Sequence, residues 1–358
     1  MNRSDIILLP PNRVWRTYLG GKCLDLLEGK SNPADSHFPE DWIASTTLAV
    51  NKGREEFKNE GLSFVEYNGS VEPLKKIMEN FPYDILGEKH FKKYRANTQF
   101  LIKFLDSSIR LHIQAHPTIS FAKQYLKSNS GKTEAYVILG TRKEVVNPYI
   151  YLGFQHPAGK EEFKTAVEKQ NINKLVSCFD KIPVKPGDVF IVPGGLPHAI
   201  GEGVFMIEIM EPTDFVVRLE FERGGYVLPE QARFMGRSIE FAMEMIDFSQ
   251  LSVEEIKKKY FCSPRIIEQQ SGGSEFVLID KTYTDCFSVH RIYVQSRFEK
   301  IAESFYVGIV TNGRGSIISG KCVQKVQTGD KFLIPFNAEK IEYMSDDAME
   351  IILAFPPK

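Results

Sequence analysis

The sequence predicts a mainly β fold built from two related β-barrels with helical insertions, and three observations lead to this prediction. Short segments rich in β-branched and aromatic residues recur along the chain, which is typical of strands. Segments with helical spacing of apolar residues lie between them. A glycine–aspartate turn followed by an apolar segment and a proline occurs twice. Because a chain of 358 residues exceeds what one hydrophobic core usually organises, we expect two domains.

Strand and helix signals alternate along the chain. The predicted strands cover residues 98–106, 110–117, 134–140, 188–193, 204–212 and 215–221. The predicted helices cover residues 73–81, 160–179, 229–246 and 252–260. The helices therefore interrupt a chain that is otherwise rich in strands.

An internal repeat relates two parts of the chain. Residues 187–198 read GDVFIVPGGLPH and residues 329–340 read GDKFLIPFNAEK, with the same five-residue interval between glycine and proline. A turn glycine, a buried strand and a proline that ends the strand allow a tight turn to present the next side chain in the mouth of a barrel. We therefore expect two related β units, with His198 and Lys340 at corresponding positions.

Charge and cysteine content exclude several classes of protein. Lys and Arg number 45 against 46 Asp and Glu, so the chain has no electrostatic footprint for nucleic acid or an anionic membrane. No run of about 18 apolar residues is present, and the N-terminus lacks the features of a signal peptide. We expect a cytoplasmic protein that binds neither nucleic acid nor membrane. The five cysteines are far apart and never in a CxxC spacing, so any metal must be bound through nitrogen and oxygen.

Three motifs are similar to those of a known family. Gly187, Pro193, Gly195 and His198 fit the second cupin motif, which follows Gln114-Ala115-His116-Pro117 and Lys132-Thr133-Glu134. In the order and chemistry of these motifs the chain resembles type I mannose-6-phosphate isomerase (phosphomannose isomerase), of the cupin superfamily. The resemblance also takes in residues 39–42, 103–106 and 214–218, and it covers residues 10–225 well and the rest in outline.

The resemblance implies two cupin-type jelly-roll β-barrels and a zinc-dependent enzyme. It implies a metal-binding catalytic domain in residues 1–225, a helical connector in 226–275 and a second domain in 276–358. Because Lys340 replaces the motif histidine, we expect the second barrel to be metal-free. The implied reaction is the aldose–ketose isomerisation of mannose 6-phosphate and fructose 6-phosphate through an enediolate. The expected partner is a phosphosugar, and the expected state is a monomer or homodimer.

The predicted metal ligands are Gln114, His116, Glu134 and His198. Alternation of side chains along a strand places Gln114 and His116 on one face, where both can reach one ion. One amide oxygen, two imidazoles and one carboxylate suit a single zinc ion with a coordination position left open. The other histidines, His37, His90, His156 and His290, are interpreted as structural or surface residues.

Five further residues are candidates for the chemistry: Arg218 and Lys132 as catalytic groups, and Lys103, His112 and Glu208 as substrate-binding groups. An enediolate needs a nearby positive charge, and Arg218, which matches the catalytic arginine of the family, is always charged. Lys103 lies in an apolar strand, where an amine is costly unless it lines a polar cavity. Either lysine could bind phosphate or transfer a proton. Glu208 alternates with two methionines and is a candidate proton-transfer partner.

His112 departs from the family pattern, in which a serine implicated in phosphate binding is common at this position. It could donate to phosphate, crowd the pocket or serve as a fifth ligand. The alternative functions are an isomerase of another sugar or sugar phosphate, a non-catalytic sugar-sensing or metal-binding cupin, and an iron oxygenase. The cations Arg218, Lys103 and Lys132 argue against a storage site, which has no need of cations beside a metal ion.

Overall fold

The computed structural model describes residues 6–358. Its regular structure is mainly β and its sheets are antiparallel, which confirms the predicted fold class. Among these residues, no helix has the length and apolar character needed to cross a membrane.

The first part of the chain supplies sixteen short strands. They are β1 Ile7–Leu8, β2 Arg13–Val14, β3 Glu40–Ile43, β4 Phe64–Tyr67, β5 Ser70–Pro73, β6 Leu101–Asp106, β7 Gln114–Ala115, β8 Glu134–Thr141, β9 Tyr149–Leu152, β10 Ile182–Pro183, β11 Val189–Val192, β12 His198–Ile200, β13 Val204–Met210, β14 Val217–Arg218, β15 Glu222–Arg223 and β16 Tyr226–Val227.

The last part of the chain supplies ten strands. They are β17 Arg265–Gln270, β18 Gly273–Ile279, β19 Ser288–Val294, β20 Arg297–Ile301, β21 Tyr306–Asn312, β22 Arg314–Ser319, β23 Cys322–Gln327, β24 Lys331–Ile334, β25 Lys340–Ser345 and β26 Met349–Phe355.

The helices lie between these strands. They are α1 Lys22–Leu27, α2 Leu74–Asn80, α3 Pro82–Ile85, α4 Glu88–Tyr94, α5 Ile119–Phe121, α6 Lys160–Glu168, α7 Ile172–Val176, α8 Glu230–Arg233, α9 Ile239–Met245 and α10 Val253–Tyr260. A π-helical turn, Ala122–Leu126, continues α5, and a 3-10 turn covers Phe336–Ala338.

Four larger sheets form two units. The N-terminal unit consists of a six-stranded sheet, β11-β8-β13-β6-β3-β2, and a five-stranded sheet, β10-β9-β12-β7-β14. The C-terminal unit consists of a seven-stranded sheet, β1-β24-β21-β26-β19-β18-β17, and a four-stranded sheet, β20-β25-β22-β23. Strand β1 pairs with β24, so the beginning of the chain contributes to the C-terminal unit. The division into domains at residues 225 and 275 stays a prediction.

The two units share an apolar core. Phe104 and Ile207 of the six-stranded sheet belong to the same cluster of buried side chains as Val307 and Ile352 of the seven-stranded sheet. Side chains of a strand alternate between its two faces, so the residues between these apolar ones point to the interior of the N-terminal unit. The six-stranded sheet is therefore covered on both faces, and all six residues of β6 are buried.

Several predicted elements are shorter than the sequence pattern indicated. In segment 110–117 only Gln114–Ala115 is a strand, because a side chain replaces part of the ladder: the Ile113 amide donates to Glu220 Oε2 at 2.8 Å. The predicted helix 229–246 is two helices, interrupted at Met235 and Gly236, which both have positive φ. The predicted helix 160–179 is likewise interrupted, at the positive-φ residue Gln170.

Candidate functional site

The site lies between the two sheets of the N-terminal unit. In the strand register, Gln114 of β7 lies between His198 of β12 and Arg218 of β14. Residues directly opposite each other in an antiparallel pair share a face, so these three side chains form a row. Glu134, the first residue of β8, approaches this row from the facing sheet.

His116, Glu134 and His198 form a buried cluster of possible metal ligands. His116 Nε2 lies 3.0 Å from Glu134 Oε1, and His198 Nε2 lies 3.6 Å from Glu134 Oε2. Each of the three residues is at most 1% exposed. Within residues 6–358, this is the cluster of His, Cys, Asp or Glu side chains whose ligand atoms lie close enough together to hold one metal ion.

Backbone carbonyls fix the tautomers of both histidines. His116 Nδ1 donates to the Phe215 carbonyl and His198 Nδ1 donates to the Leu196 carbonyl, each at 2.8 Å. Burial, with Lys132 nearby, lowers the pKa of His116 to about 3, and burial lowers the pKa of His198 as well. Each ring is therefore neutral and carries a lone pair at Nε2, the state in which histidine binds metals.

Two atoms of the cluster are buried without a hydrogen-bond partner in the described part of the chain: His116 Nε2 and Glu134 Oε1. A lone pair that faces a carboxylate oxygen is unfavourable unless a proton or a cation lies between them. The Gln114 amide is also adjacent, since its nitrogen lies 3.3 Å from His198 Nε2 and its oxygen and nitrogen exchange places on rotation of the amide. The residues present therefore fit a bound metal ion.

A second row of charged residues lies on the six-stranded sheet. Glu208 of β13 is paired in register with Lys103 of β6. Lys103 Nζ lies 2.5 Å from Glu208 Oε2 and 3.4 Å from Glu40 Oε2, and all three residues are buried. Burial and the nearby Glu134 carboxylate raise the pKa of Glu208 to about 7, against the opposing effect of Lys103. The protonated form of Glu208 is therefore less unfavourable here than it is in water.

Arg16 and Glu40 belong to the site, although they were not among the predicted site residues. Arg16 donates to both carboxylate oxygens of Asp214, at 3.0 and 3.1 Å, and its Nε lies 3.5 Å from Glu40 Oε1. Glu40 also accepts hydrogen bonds from Tyr18 Oη at 2.6 Å and Trp42 Nε1 at 2.7 Å. The segment around Glu40 carried part of the family resemblance and could have identified it. No sequence pattern marks Arg16.

Arg218 differs from the other cations of the region. Arg16, Lys103 and Lys132 each form an ion pair with a carboxylate. Arg218, in contrast, donates to the Ala232 carbonyl at 3.0 Å and forms no ion pair with a carboxylate among the described residues. Burial, together with Arg16, lowers its pKa to about 10, which still leaves it charged at neutral pH. Its charge is available to an anion.

His112 lies beside the row formed by His198, Gln114 and Arg218, and it is outside the metal cluster. Its Nδ1 donates to the Glu220 carbonyl at 2.9 Å, and its Nε2 lies 3.3 Å from Thr17 Oγ1. Burial and Arg218 lower the pKa of His112 to about 3. A neutral ring that donates through Nδ1 presents an acceptor at Nε2, so His112 is suited to a hydroxyl rather than to a phosphate oxygen.

Six of the nine predicted site residues line one cavity. Its charged and polar lining consists of Arg16, Thr17, Glu40, Lys103, His112, Gln114, Lys132, Glu208 and Arg218, with Tyr18 beside them. Lys132 joins this lining to the metal cluster, because its Nζ lies 3.2 Å from Glu134 Oε1. All nine predicted site residues therefore occur in one region.

The five cysteines are free.

Comparisons with known proteins identify similar sequences and similar structures. No protein-family model matches the chain. A Bacillus subtilis protein named "Probable mannose-6-phosphate isomerase GmuF" is 28% identical over 258 residues, which are 72% of this chain and 74% of the relative. The crystal structure of Bacillus subtilis mannose 6-phosphate isomerase has a TM-score of 0.76 at 18% identity, covering 98% of this chain and 99% of that one.

A second solved structure has a similar fold. A mannose 6-phosphate isomerase described as bound with zinc and yttrium has a TM-score of 0.69 at 15% identity, and it covers 98% of this chain and 100% of that one. At these identities the two solved structures establish the fold, whereas the family resemblance rests on the relatives found by sequence.

Proposed function

We propose that this chain, an enzyme of the mannose-6-phosphate isomerase family, interconverts mannose 6-phosphate and fructose 6-phosphate through an enediolate, with one zinc ion per chain. One observation carries the proposal: within residues 6–358, a buried region combines a His–Glu–His cluster in which two atoms have no hydrogen-bond partner with a guanidinium that has no carboxylate partner. The cluster suits a metal, and the guanidinium suits negative charge that develops during the reaction.

Gln114, His116, Glu134 and His198 would hold the zinc, the two histidines through Nε2. When bound, zinc supplies Lewis acidity that polarises the sugar oxygens. The carbonyls that hold the two Nδ1 atoms orient the rings in advance, so little rearrangement is needed on binding. The likeness to a structure bound with zinc and yttrium supports the choice of metal.

Arg218 would stabilise the oxyanion of the enediolate. Its side chain is 7% exposed, and in such a site a charge interacts more strongly than it does in water. Its hydrogen bond to the Ala232 carbonyl fixes the guanidinium without neutralising it. A donor positioned in this way stabilises the transition state more than the bound sugar, which raises the rate.

Glu208 is the proposed proton carrier between the two sugar carbons. A base works best when its pKa lies near the working pH, and burial raises the pKa of Glu208 to about 7. Lys103, 2.5 Å away, would bind substrate and hold this carboxylate in place. Lys132, 3.2 Å from Glu134, is the second catalytic group, between the metal cluster and the cavity.

The position of His112 supports a second candidate substrate, a sugar without phosphate. Its Nε2, near Thr17 Oγ1, is an acceptor for a hydroxyl group and is not suited to a phosphate oxygen. In the phosphorylated case, His112 would contact a sugar hydroxyl and the phosphate would take its charge partner from Arg218 or a lysine.

The proposal also includes the location, the oligomeric state and the domain division of the chain. The chain is proposed to act in the cytoplasm as a monomer or homodimer, on a small-molecule substrate. Residues 1–225 are proposed to form the catalytic domain and 226–275 a helical connector, whose last part, β17, pairs into the sheet of the C-terminal unit. Residues 276–358 are proposed to form a metal-free barrel.

The experiment is a coupled assay with mannose 6-phosphate and with free mannose, before and after treatment with a chelator and again after zinc is added. The proposal expects turnover of mannose 6-phosphate that is lost with the chelator and restored by zinc. Turnover of mannose alone would establish the second candidate substrate. Turnover of neither sugar in the presence of zinc would contradict the proposed function.

A further inference from the structure

Tyr136 is a buried tyrosine at the edge of the metal cluster. It lies two residues after Glu134 on β8, so both side chains point to the same face. Tyr136 is 1% exposed, and its ring belongs to a buried apolar cluster that includes Leu105 and Met206. Its hydroxyl donates to Glu134 Oε2 at 2.8 Å.

The two oxygens of Glu134 have different surroundings. Oε2 accepts the hydrogen bond from Tyr136 and lies 3.6 Å from His198 Nε2. Oε1 lies 3.0 Å from His116 Nε2, is buried and has no hydrogen-bond partner within residues 6–358. Within residues 6–358, the hydrogen bond that the Glu134 carboxylate accepts comes from the Tyr136 hydroxyl. One oxygen is therefore anchored, and the other is left open toward the histidines.

We infer that Tyr136 is a positioning residue for the metal: it holds Glu134 Oε2 so that Oε1 is presented, as a single ligand oxygen, to an ion shared with His116 and His198. This inference rests on the proposed function, because it assumes that the cluster binds zinc. It adds a role for a residue that lies outside both the cavity lining and the His–Glu–His cluster.

The physical reason is the freedom of an unanchored carboxylate. Rotation about its last torsion would turn Oε1 away from His116 or present both oxygens to the ion. Lys132 Nζ, 3.2 Å from Oε1, pulls on the oxygen that the ion needs and so does not replace the tyrosine. Partners that orient a ligand are typically worth about 10- to 100-fold in metal affinity.

The C-terminal unit offers a matched control. Tyr306 and Tyr343 are buried tyrosines whose hydroxyls lie 2.8 Å apart, the same distance as in the Tyr136–Glu134 bond. Tyr306→Phe removes one buried hydroxyl from the other unit and leaves its ring in place. It reproduces the loss of a buried hydrogen bond without touching the metal cluster.

The experiment measures the zinc dissociation constant of the full chain by competition with a chromogenic chelator, in the parent, Tyr136→Phe and Tyr306→Phe. The expected result is affinity weaker by about 10- to 100-fold in Tyr136→Phe and unchanged in Tyr306→Phe. Saturating zinc should then restore most of the turnover of Tyr136→Phe.

Three results would overturn the inference. They are parent-like affinity in Tyr136→Phe, an equal loss in Tyr306→Phe, and turnover of Tyr136→Phe that stays low at zinc saturation. A parent chain that binds no zinc would overturn the proposed function together with this inference. A parent that binds zinc and a Tyr136→Phe variant that binds it equally well would overturn the inference alone.

Discussion

The two units share a glycine–aspartate turn, a strand and a proline. They differ in the turn after the proline and in the side chain that this second turn presents. In the N-terminal unit His198 is 1% exposed and faces Glu134. In the C-terminal unit the 3-10 turn Phe336–Ala338 replaces the Pro-Gly-Gly turn, and Lys340 is exposed, with Nζ 2.9 Å from Glu299 Oε2. A repeated strand framework therefore leaves the following turn free to direct a side chain to the interior or to solvent.

The polar groups of the two interiors differ in how well they are satisfied. In the C-terminal unit the buried Glu275 carboxylate has donors for both oxygens, from His290 at 2.6 Å and from Lys300 at 2.7 and 2.8 Å. In the N-terminal unit Glu134 Oε1 accepts no hydrogen bond among the described residues and has the Lys132 ammonium nearby, at 3.2 Å. A buried carboxylate with hydrogen bonds to both oxygens needs no further partner, whereas a buried oxygen without a hydrogen bond calls for one, such as a bound ion. This difference, rather than burial, separates the candidate site from a structural cluster.

Removing a ligand from the N-terminal unit should give the largest effect. His116→Ala and His198→Ala are expected to lose stoichiometric zinc and measurable turnover while keeping the fold, because the apolar core shared by the units does not depend on the metal. Metal content after gel filtration, circular dichroism and the isomerase assay check this. Zinc retained at one per chain in either variant would refute the ligand assignment.

Arg218→Ala should retain zinc and lose turnover. Removing one preorganised donor to a developing oxyanion commonly lowers kcat by roughly 100- to 1,000-fold. Arg218→Lys should recover little, since an ammonium cannot reproduce the planar fork of a guanidinium. Steady-state kinetics on zinc-loaded protein measure the effect. If Arg218→Ala turns over at the parent rate, the residue is structural.

Asp214→Asn should lower the free energy of unfolding by about 3 kcal/mol at neutral pH, because it breaks a buried ion pair with Arg16. Although burial alone would raise it, Arg16 holds the pKa of Asp214 well below its usual range. The pair therefore stabilises the fold fully above the unfolded pKa of about 3.9, and this stabilisation declines as pH falls further. Urea titrations at several pH values should show the gap between parent and variant narrowing in acid. A gap that widens there would be inconsistent with the pair.

Lys340→Ala should have the smallest effect. Its ion pair with Glu299 is exposed, and such pairs contribute about 0 to 1 kcal/mol. Zinc content and turnover should equal those of the parent, which makes this variant the control for His198→Ala at the corresponding position of the repeat. A loss of zinc in Lys340→Ala would mean that the two units are not independent in metal binding.

The sequence predicted the parts of the structure that depend on local pattern. The mainly β fold and the repeat follow from strand alternation and motif spacing. The family resemblance singled out His116, Glu134 and His198, and the structure brings these three residues together. The extents of the strands at 110–117 and 215–221 were wrong, because the strands cover only Gln114–Ala115 and Val217–Arg218. The Glu220 side chain, which belongs to the second of these segments, accepts a hydrogen bond from the Ile113 amide of the first, so this amide is not available to a strand ladder.

Local sequence patterns could not predict the long-range contacts between side chains. Arg16 and Asp214 are 198 positions apart, and only the folded chain brings them together. The anchoring of Glu134 by Tyr136 and the mutual satisfaction of Glu275 and Lys300 likewise depend on side-chain geometry, which spacing in the sequence does not determine.

We propose that the N-terminal unit holds one catalytic zinc ion and that the C-terminal unit holds none. This proposal is tested most directly by titrating metal-free protein with zinc while following bound zinc and mannose 6-phosphate turnover together. Turnover is expected to rise in proportion to bound zinc and to reach its limit at one ion per chain. Full turnover without zinc, or a limit reached only at two ions per chain, would contradict it.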